Sequence, residues 1–170
     1  NTFTVLGVHG CSALSCVTAQ NTLGVRRVDG LPPEALDTLA SHGVKLAVVT
    51  NKFEQFATAM LGQLGLSERF VTIIGGDSMG KGPDGKFRAK PLPDPVIEAR
   101  ARCGANEAGR RFAFVGDSTY DVAAAKGAGV PVVVAAYGYC DKPPHDLGAD
   151  AVIDSFGDLI PALAALQPPA

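Results

Sequence analysis

The chain has 170 residues and a formal net charge of −2, with 46% hydrophobic and 19% charged residues. That balance suits one compact domain and excludes intrinsic disorder. The 20 glycines and 12 prolines follow no Gly-X-Y period, which excludes a collagen-like chain. No apolar run reaches the roughly 18 residues of a membrane span. The basic residues form no long block, so electrostatic binding to nucleic acid is a poor expectation. Cys11, Cys16, Cys103 and Cys140 make no CxxC and match no zinc spacing, which points to free thiols. Residues 1–16 lack a basic n-region and a long apolar stretch, so they do not read as a signal peptide, and a cytoplasmic setting is expected.

In chain order, Phe3 to Val8 (FTVLGV) is a candidate strand, and residues 9–30 read as loop with a weak Val25 to Val28 segment. From Pro32-Pro33-Glu34 a helix carries Leu36 and Leu39 and stops at His42-Gly43. Val44 to Thr50 (VKLAVVT) is a buried parallel strand. Phe53 to Leu64 is a helix with Phe56, Ala59, Met60, Leu61 and Leu64 at helical spacing, and Phe70 to Ile74 is the next strand. Residues 77–91 form a loop rich in Gly, Lys and Pro, whose Pro-Asp-Gly is a turn signal and leaves room for a small hairpin. A helix over Asp94 to Cys103, a strand over Arg111 to Val115, a helix over Tyr120 to Ala128 and a strand over Val130 to Ala135 follow. An edge strand at Ala151 to Ile153 and a helix over Phe156 to Leu166 close the chain. Alternation of this kind predicts βαβ crossovers: an α/β fold, a Rossmann-like three-layer α/β/α sandwich with a mainly parallel sheet. Its ligand site is expected at the carboxyl ends of the strands.

Three polar clusters fall at such places. Thr50-Asn51-Lys52 follows one strand, Lys90-Pro91 precedes a helix, and Gly116-Asp117-Ser118-Thr119-Tyr120-Asp121 follows another strand. A phosphate needs a hydroxyl, backbone N–H groups at a helix start and a cation. Mg²⁺ takes hard oxygen ligands, which Asp117 and Asp121 can offer. Taken singly, each cluster has a plainer reading: Thr50-Asn51 and Asp117-Ser118 as helix caps, Lys90 as a solvated loop lysine. Their order and spacing argue for a joint role. Tyr137-Gly138-Tyr139 either rims the site or packs. His145 in the DKPPHD loop is expected to be exposed.

LAVVTNK, AKPLPDPV and FVGDSTYDVAAAKGAGV, followed by YGY, resemble the later motifs of the haloacid dehalogenase (HAD) superfamily, and among its members most of all phosphoglycolate phosphatases. The likeness runs from about Leu31 to the C-terminus, which makes residues 31–170 a recognisable core and residues 1–30 an atypical or truncated segment of one domain. It implies a Rossmann-like core and Mg²⁺-dependent hydrolysis of a small phosphorylated metabolite through an aspartyl-phosphate. By that resemblance Thr50, Asn51 and Ser118 hold phosphoryl oxygens. Lys90 offsets charge on the nucleophile and phosphate, Asp117 ligates Mg²⁺, and Asp121 supports the metal shell or an adjoining hydrogen bond.

The likeness departs at the start. The family carries Asp-x-Asp-x-Thr at the end of its first strand, as nucleophile and general acid/base, whereas FTVLGV runs here into HGCSAL. Only about 20 residues separate that candidate strand from the Pro32 helix, too few for the family's helical cap. Three readings stay open: a phosphatase by descent with a truncated or scrambled start, a non-catalytic phosphate- or Mg²⁺-binding module, and an active capless phosphatase that uses His9, Cys11 or Asp29. Capless relatives often complete their sites by oligomerising, so a homo-oligomer is one expectation. A receiver-like or nucleotide-binding α/β domain ranks lower, because no GxGxxG or GxxxxGK[ST] follows a strand.

Overall fold

Apolar periodicity dictates each element of the structure, a computed structural model that describes residues 33–106 and 111–166. Helix α1 (Pro33–Ser41) turns Leu36 and Leu39 inward. Strand β1 (Leu46–Val49) is four apolar residues, all buried. Helix α2 (Glu54–Gln63) lies between β1 and strand β2 (Phe70–Ile74). Helix α3 (Asp94–Arg102), strand β3 (Phe114–Gly116), helix α4 (Thr119–Gly127) and strand β4 (Val132–Ala135) come next. Strand β5 (Ala151–Ile153) and helix α5 (Leu159–Ala165) complete the described elements.

All the strand pairs are parallel. Strand β1 pairs with β2, with Val48 opposite Ile73 and Val49 opposite Ile74. Strand β4 lies between β3 and β5, with Val133 opposite Val115 and Val134 opposite Val152. Because side chains alternate along a strand, β1 feeds two cores. Leu46 and Val48 join Leu36 and Leu39 of α1, Met60 and Leu61 of α2 and Leu159 and Leu163 of α5. Ala47 and Val49 join Val96 and Ala99 of α3 and Val122 and Ala125 of α4. Strands β3 and β4 divide in the same way, with Val115 and Val133 in the first core and Phe114, Val132 and Val134 in the second. The result is the three-layer α/β/α arrangement expected from the alternation of elements.

Several boundaries differ from the sequence reading. The strand read from Val44 begins at Leu46, with Lys45 as a single bridge residue. The strand read over Arg111 to Val115 is shifted to Phe114–Gly116. Pro131 cannot donate to a ladder, and β4 starts after it. The last helix divides into a 3-10 turn, Phe156–Asp158, and α5. Of the residues at helical spacing, Phe56 is 58% exposed and stacks on Phe53 and Ala59 is exposed too, while Ala57, Met60 and Leu61 face inward. The small hairpin in the 77–91 loop is present as a Lys81–Phe87 antiparallel bridge. Cys140 is a free thiol and Cys103 packs in the second core; Cys11 and Cys16 lie outside the described residues. The FTVLGV strand and the Val25 to Val28 segment also lie outside them. No helix among the described residues is long and apolar enough to cross a membrane.

Phe114 is among the largest fully buried side chains, at 1% exposure. Phe114→Ala is expected to cost about 3–5 kcal/mol through lost burial and an unfilled cavity. Urea unfolding should show this as a lower midpoint with an unchanged slope.

Candidate functional site

The polar clusters converge because the parallel strands end on the same side. Thr50 and Asn51 follow β1, Asp117 and Ser118 follow β3, and Lys90 arrives from the loop before α3. Lys90, Thr50, Asp117, Ser118 and Asp121 make up the buried polar and charged residues among those described.

Lys90 sits at the centre. Its Nζ donates to the Val49 carbonyl at 3.0 Å and meets Asp121 Oδ1 at 2.6 Å, and neither side chain is exposed. Asn51 Nδ2 donates to the Lys90 carbonyl at 2.9 Å, and the Lys90–Pro91 peptide is cis. Asp121 Oδ2 accepts the Ser118 hydroxyl at 2.7 Å and the Ser118 and Asp117 N–H groups at 3.2 Å. Ser118 and Asp121 thereby form a capping box at the start of α4. One network runs from the end of β1 through Lys90 to the end of β3.

That network divides the candidate residues by what they have left to offer. Both Asp121 oxygens are engaged, one by an ammonium and one by three donors. Asp121 thus orients Lys90 and caps α4, and it is poorly placed to hold a metal as well. Thr50 Oγ1 accepts the Lys52 N–H at 3.2 Å, which leaves its own proton to donate. The Asn51 side-chain nitrogen gives one of its two N–H groups to Lys90, and its Oδ1 is buried and accepts no hydrogen bond among the described residues. The second side-chain N–H and the backbone N–H remain as donors.

Asp117 is held differently. Its Oδ2 accepts the Tyr139 N–H at 2.8 Å. A Cβ on Gly138 would lie 2.4 Å from Asp117 Cβ, so only glycine lets the 137–139 loop approach this closely. Gly116 is constrained in the same way by Asp121, at 2.3 Å from its Cβ. Burial, and then the Asp117 and Asp158 carboxylates, push the Tyr137 phenol up to about 12. Tyr139 is largely exposed, and Tyr137 is only part-exposed, at 40%. His145 is exposed, as expected.

A Mg²⁺ ion typically keeps several waters and takes one or two carboxylates besides phosphate oxygens. The donor set fits that demand in part. Asp117 supplies one buried hard carboxylate, while no group of three acidic, histidine or cysteine side chains among the described residues could enclose a metal unaided.

Asp141 is a contributor that sequence reasoning missed. Its Oδ1 accepts the Thr119 N–H at 2.9 Å and its Oδ2 accepts the Thr119 hydroxyl at 2.5 Å, which pins the 136–143 loop to the α4 N-terminus. A separation of 22 residues leaves no local signature.

A buried lysine–carboxylate pair at the carboxyl ends of parallel strands characterises the site, and comparison with known proteins defines the family. The haloacid dehalogenase-like hydrolase family model matches residues 24–129. The chain belongs to the haloacid dehalogenase-like hydrolases. It is 43% identical over 133 residues to a phosphoglycolate phosphatase of Rhodospirillum rubrum, covering 78% of this chain and 52% of that protein. It is 37% identical over 131 residues to the phosphoglycolate phosphatase of Escherichia coli K12, covering 76% and 48%. The crystal structure of a predicted phosphoglycolate phosphatase from Haemophilus somnus superposes with a TM-score of 0.68 at 32% identity, covering 79% and 56%. The chain spans about half the length of the curated relatives it matches.

Two outcomes test this geometry. Asp121→Ala leaves the Lys90 ammonium buried without its carboxylate and should cost about 3–5 kcal/mol in urea unfolding. Lys90→Met/Asp121→Leu, which removes both charges, should recover part of that loss; a loss equal to the sum of the two single changes would count against the coupling. For Asp141, the Thr119 hydroxyl holds its carboxyl below the ordinary value of 3.8. A lowered folded-state pKa stabilises at pH above 3.8, and that stabilisation fades as pH falls through the folded value. Asp141→Asn should therefore melt earlier than the native chain at pH 7. The gap should narrow below pH 3.8 in thermal scans across pH.

Proposed function

We propose that this chain carries the phosphate-recognising part of a Mg²⁺-dependent phosphomonoesterase of the phosphoglycolate phosphatase type, which takes a small phosphorylated metabolite. The observation that carries the reading is the buried Lys90, held by Val49 and Asp121 near strand ends that also carry the buried Thr50 and Ser118. A preorganised cation with hydroxyl and backbone donors stabilises phosphoryl oxygens without reorganising at the moment of reaction. In this reading Thr50 donates its hydroxyl proton, Asn51 its backbone N–H and Lys90 its charge. Ser118 lies at the α4 N-terminus, where the helix end favours an anion. Asp117 would hold Mg²⁺, which when bound neutralises phosphate charge and polarises the P–O bond.

Hydrolysis through a phosphoryl-enzyme also needs a nucleophile and a proton donor. Asp121 is spent on Lys90 and the helix cap, and Asp117 is the metal ligand. The Asp-x-Asp-x-Thr string that serves the family is missing from the sequence. We therefore assign this chain phosphate-ester binding with impaired turnover; its limiting form is a non-catalytic phosphate- and Mg²⁺-binding module.

The test is Mg²⁺-dependent phosphate release from 2-phosphoglycolate and p-nitrophenyl phosphate, run beside calorimetric binding of inorganic phosphate. The expected result is phosphate binding that Mg²⁺ strengthens, release near background, and loss of the Mg²⁺ effect in Asp117→Ala. Robust release that disappears in Asp117→Ala would overturn the impairment and direct attention to His9, Cys11 and Asp29. Absence of phosphate binding would overturn the site.

A further inference from the structure

Two short segments lie against each other after β3 and after β4, and each gives a backbone N–H to a carboxylate of the other. The Tyr139 N–H donates to Asp117 Oδ2 at 2.8 Å. In return the Thr119 N–H donates to Asp141 Oδ1 at 2.9 Å, and the Thr119 hydroxyl donates to Asp141 Oδ2 at 2.5 Å. Asp117 and Thr119 flank Ser118 on one segment, and Tyr139 and Asp141 flank Cys140 on the other, so the three bonds form one short zipper. Thr119 opens α4, and its N–H is one of the donors that a helix start leaves without an intrahelical partner. The Asp141 carboxylate satisfies that donor and faces the positive end of the helix.

The two ends of the loop after β4 are held in different ways. Its entry is fixed by the sheet: the Ala136 N–H donates to the Ile153 carbonyl at 2.9 Å, and the Gly138 N–H closes a turn on the Ala135 carbonyl at 3.0 Å. Its exit lies at the surface, where Asp141, Lys142 and Pro143 are exposed. There Asp141 is the anchor, through bonds to an ionised acceptor, which are about twice as strong as neutral ones. The Tyr139 N–H lies between the entry and that anchor. Releasing Asp141 frees the stretch of loop that carries this N–H, and with it the rotation of the Asp117 carboxylate. Both Asp141 oxygens are turned to Thr119, so Asp141 acts through the loop rather than as a ligand.

We propose that Asp141 is a positioning residue for Asp117: by clamping residues 139–141 to the start of α4, it fixes the orientation in which the Asp117 carboxylate meets a divalent cation. This rests on the reading of Asp117 as the Mg²⁺ residue given above. Groups that orient a ligating carboxylate without touching the ion change metal affinity by roughly 10–100-fold when they are removed.

The test is Mg²⁺ binding by calorimetry, with the Tyr139 amide resonance followed by NMR as the reporter of its bond to Asp117. Asp141→Ala should weaken Mg²⁺ about tenfold and move the Tyr139 resonance. Asp141→Asn loses the charge but keeps an acceptor for the Thr119 N–H, and its affinity should lie between the native chain and Asp141→Ala. Thr119→Val removes the hydroxyl with no change of charge and should weaken Mg²⁺ in the same direction, by less. Leu163→Ala, in the core on the other face of the sheet, lowers stability but should leave affinity and the Tyr139 resonance unchanged. Native affinity in Asp141→Ala, while Asp117→Ala abolishes binding, would overturn the clamp alone. So would an unmoved Tyr139 resonance in Asp141→Ala. Equal losses in Asp141→Ala and Asp141→Asn, with Thr119→Val as native, would assign the effect to charge and overturn the clamp as well. If Asp141→Ala does not fold, Thr119→Val decides: native affinity with an unmoved Tyr139 resonance overturns the clamp. No Mg²⁺ binding by the native chain, or undiminished binding by Asp117→Ala, would overturn the metal reading and the proposal with it.

Discussion

A lysine ammonium and a carboxylate with no exposed side-chain surface meet at 2.6 Å where the β1 and β3 ends approach one another. Taking two charges out of water costs several kcal/mol for each, and attraction between them offsets this only when the remaining donors and acceptors are also satisfied. Here Val49 accepts from Lys90, and Ser118 and Asp117 donate to Asp121. The pair therefore holds two separate strand ends in register with each other. Thr50, Asn51, Asp117 and Ser118 take their positions from it.

The glycines follow from the same crowding. Gly116 makes room for Asp121 and Gly138 makes room for Asp117, because a methyl group at either position would collide with a carboxylate side chain. Asp141 secures the loop that carries Gly138 by gripping Thr119 at the helix start. A network built in this way holds its polar groups in fixed positions before any ligand arrives.

Much of this was legible from residue order. LAVV within VKLAVVT reads as a buried strand, because its apolar run is short and rich in β-branched residues. Ser118 and Asp121 stand at capping-box spacing, so their mutual contact was readable locally. Phe56 misled, because helical spacing does not say which side of an amphipathic helix a neighbouring ring will draw outward. Asp121 is the more instructive case. GDSTYD marks it as an acid near a ligand, but whether its oxygens face a metal or a lysine depends on a residue 31 positions earlier in the chain.

The sequence by itself determined the alternation of strands and helices, the three clusters at strand ends and the membership of the family. These depend on period, turn chemistry and motif spacing, which are local. Only the tertiary structure decided that Lys90 is neutralised by Asp121, that the Asn51 amide donates to the Lys90 carbonyl, and that Asp117 is held by the 137–139 loop. Burial and partnership are properties of what packs alongside a residue, and parallel β-strands bring together partners that the chain keeps tens of residues apart.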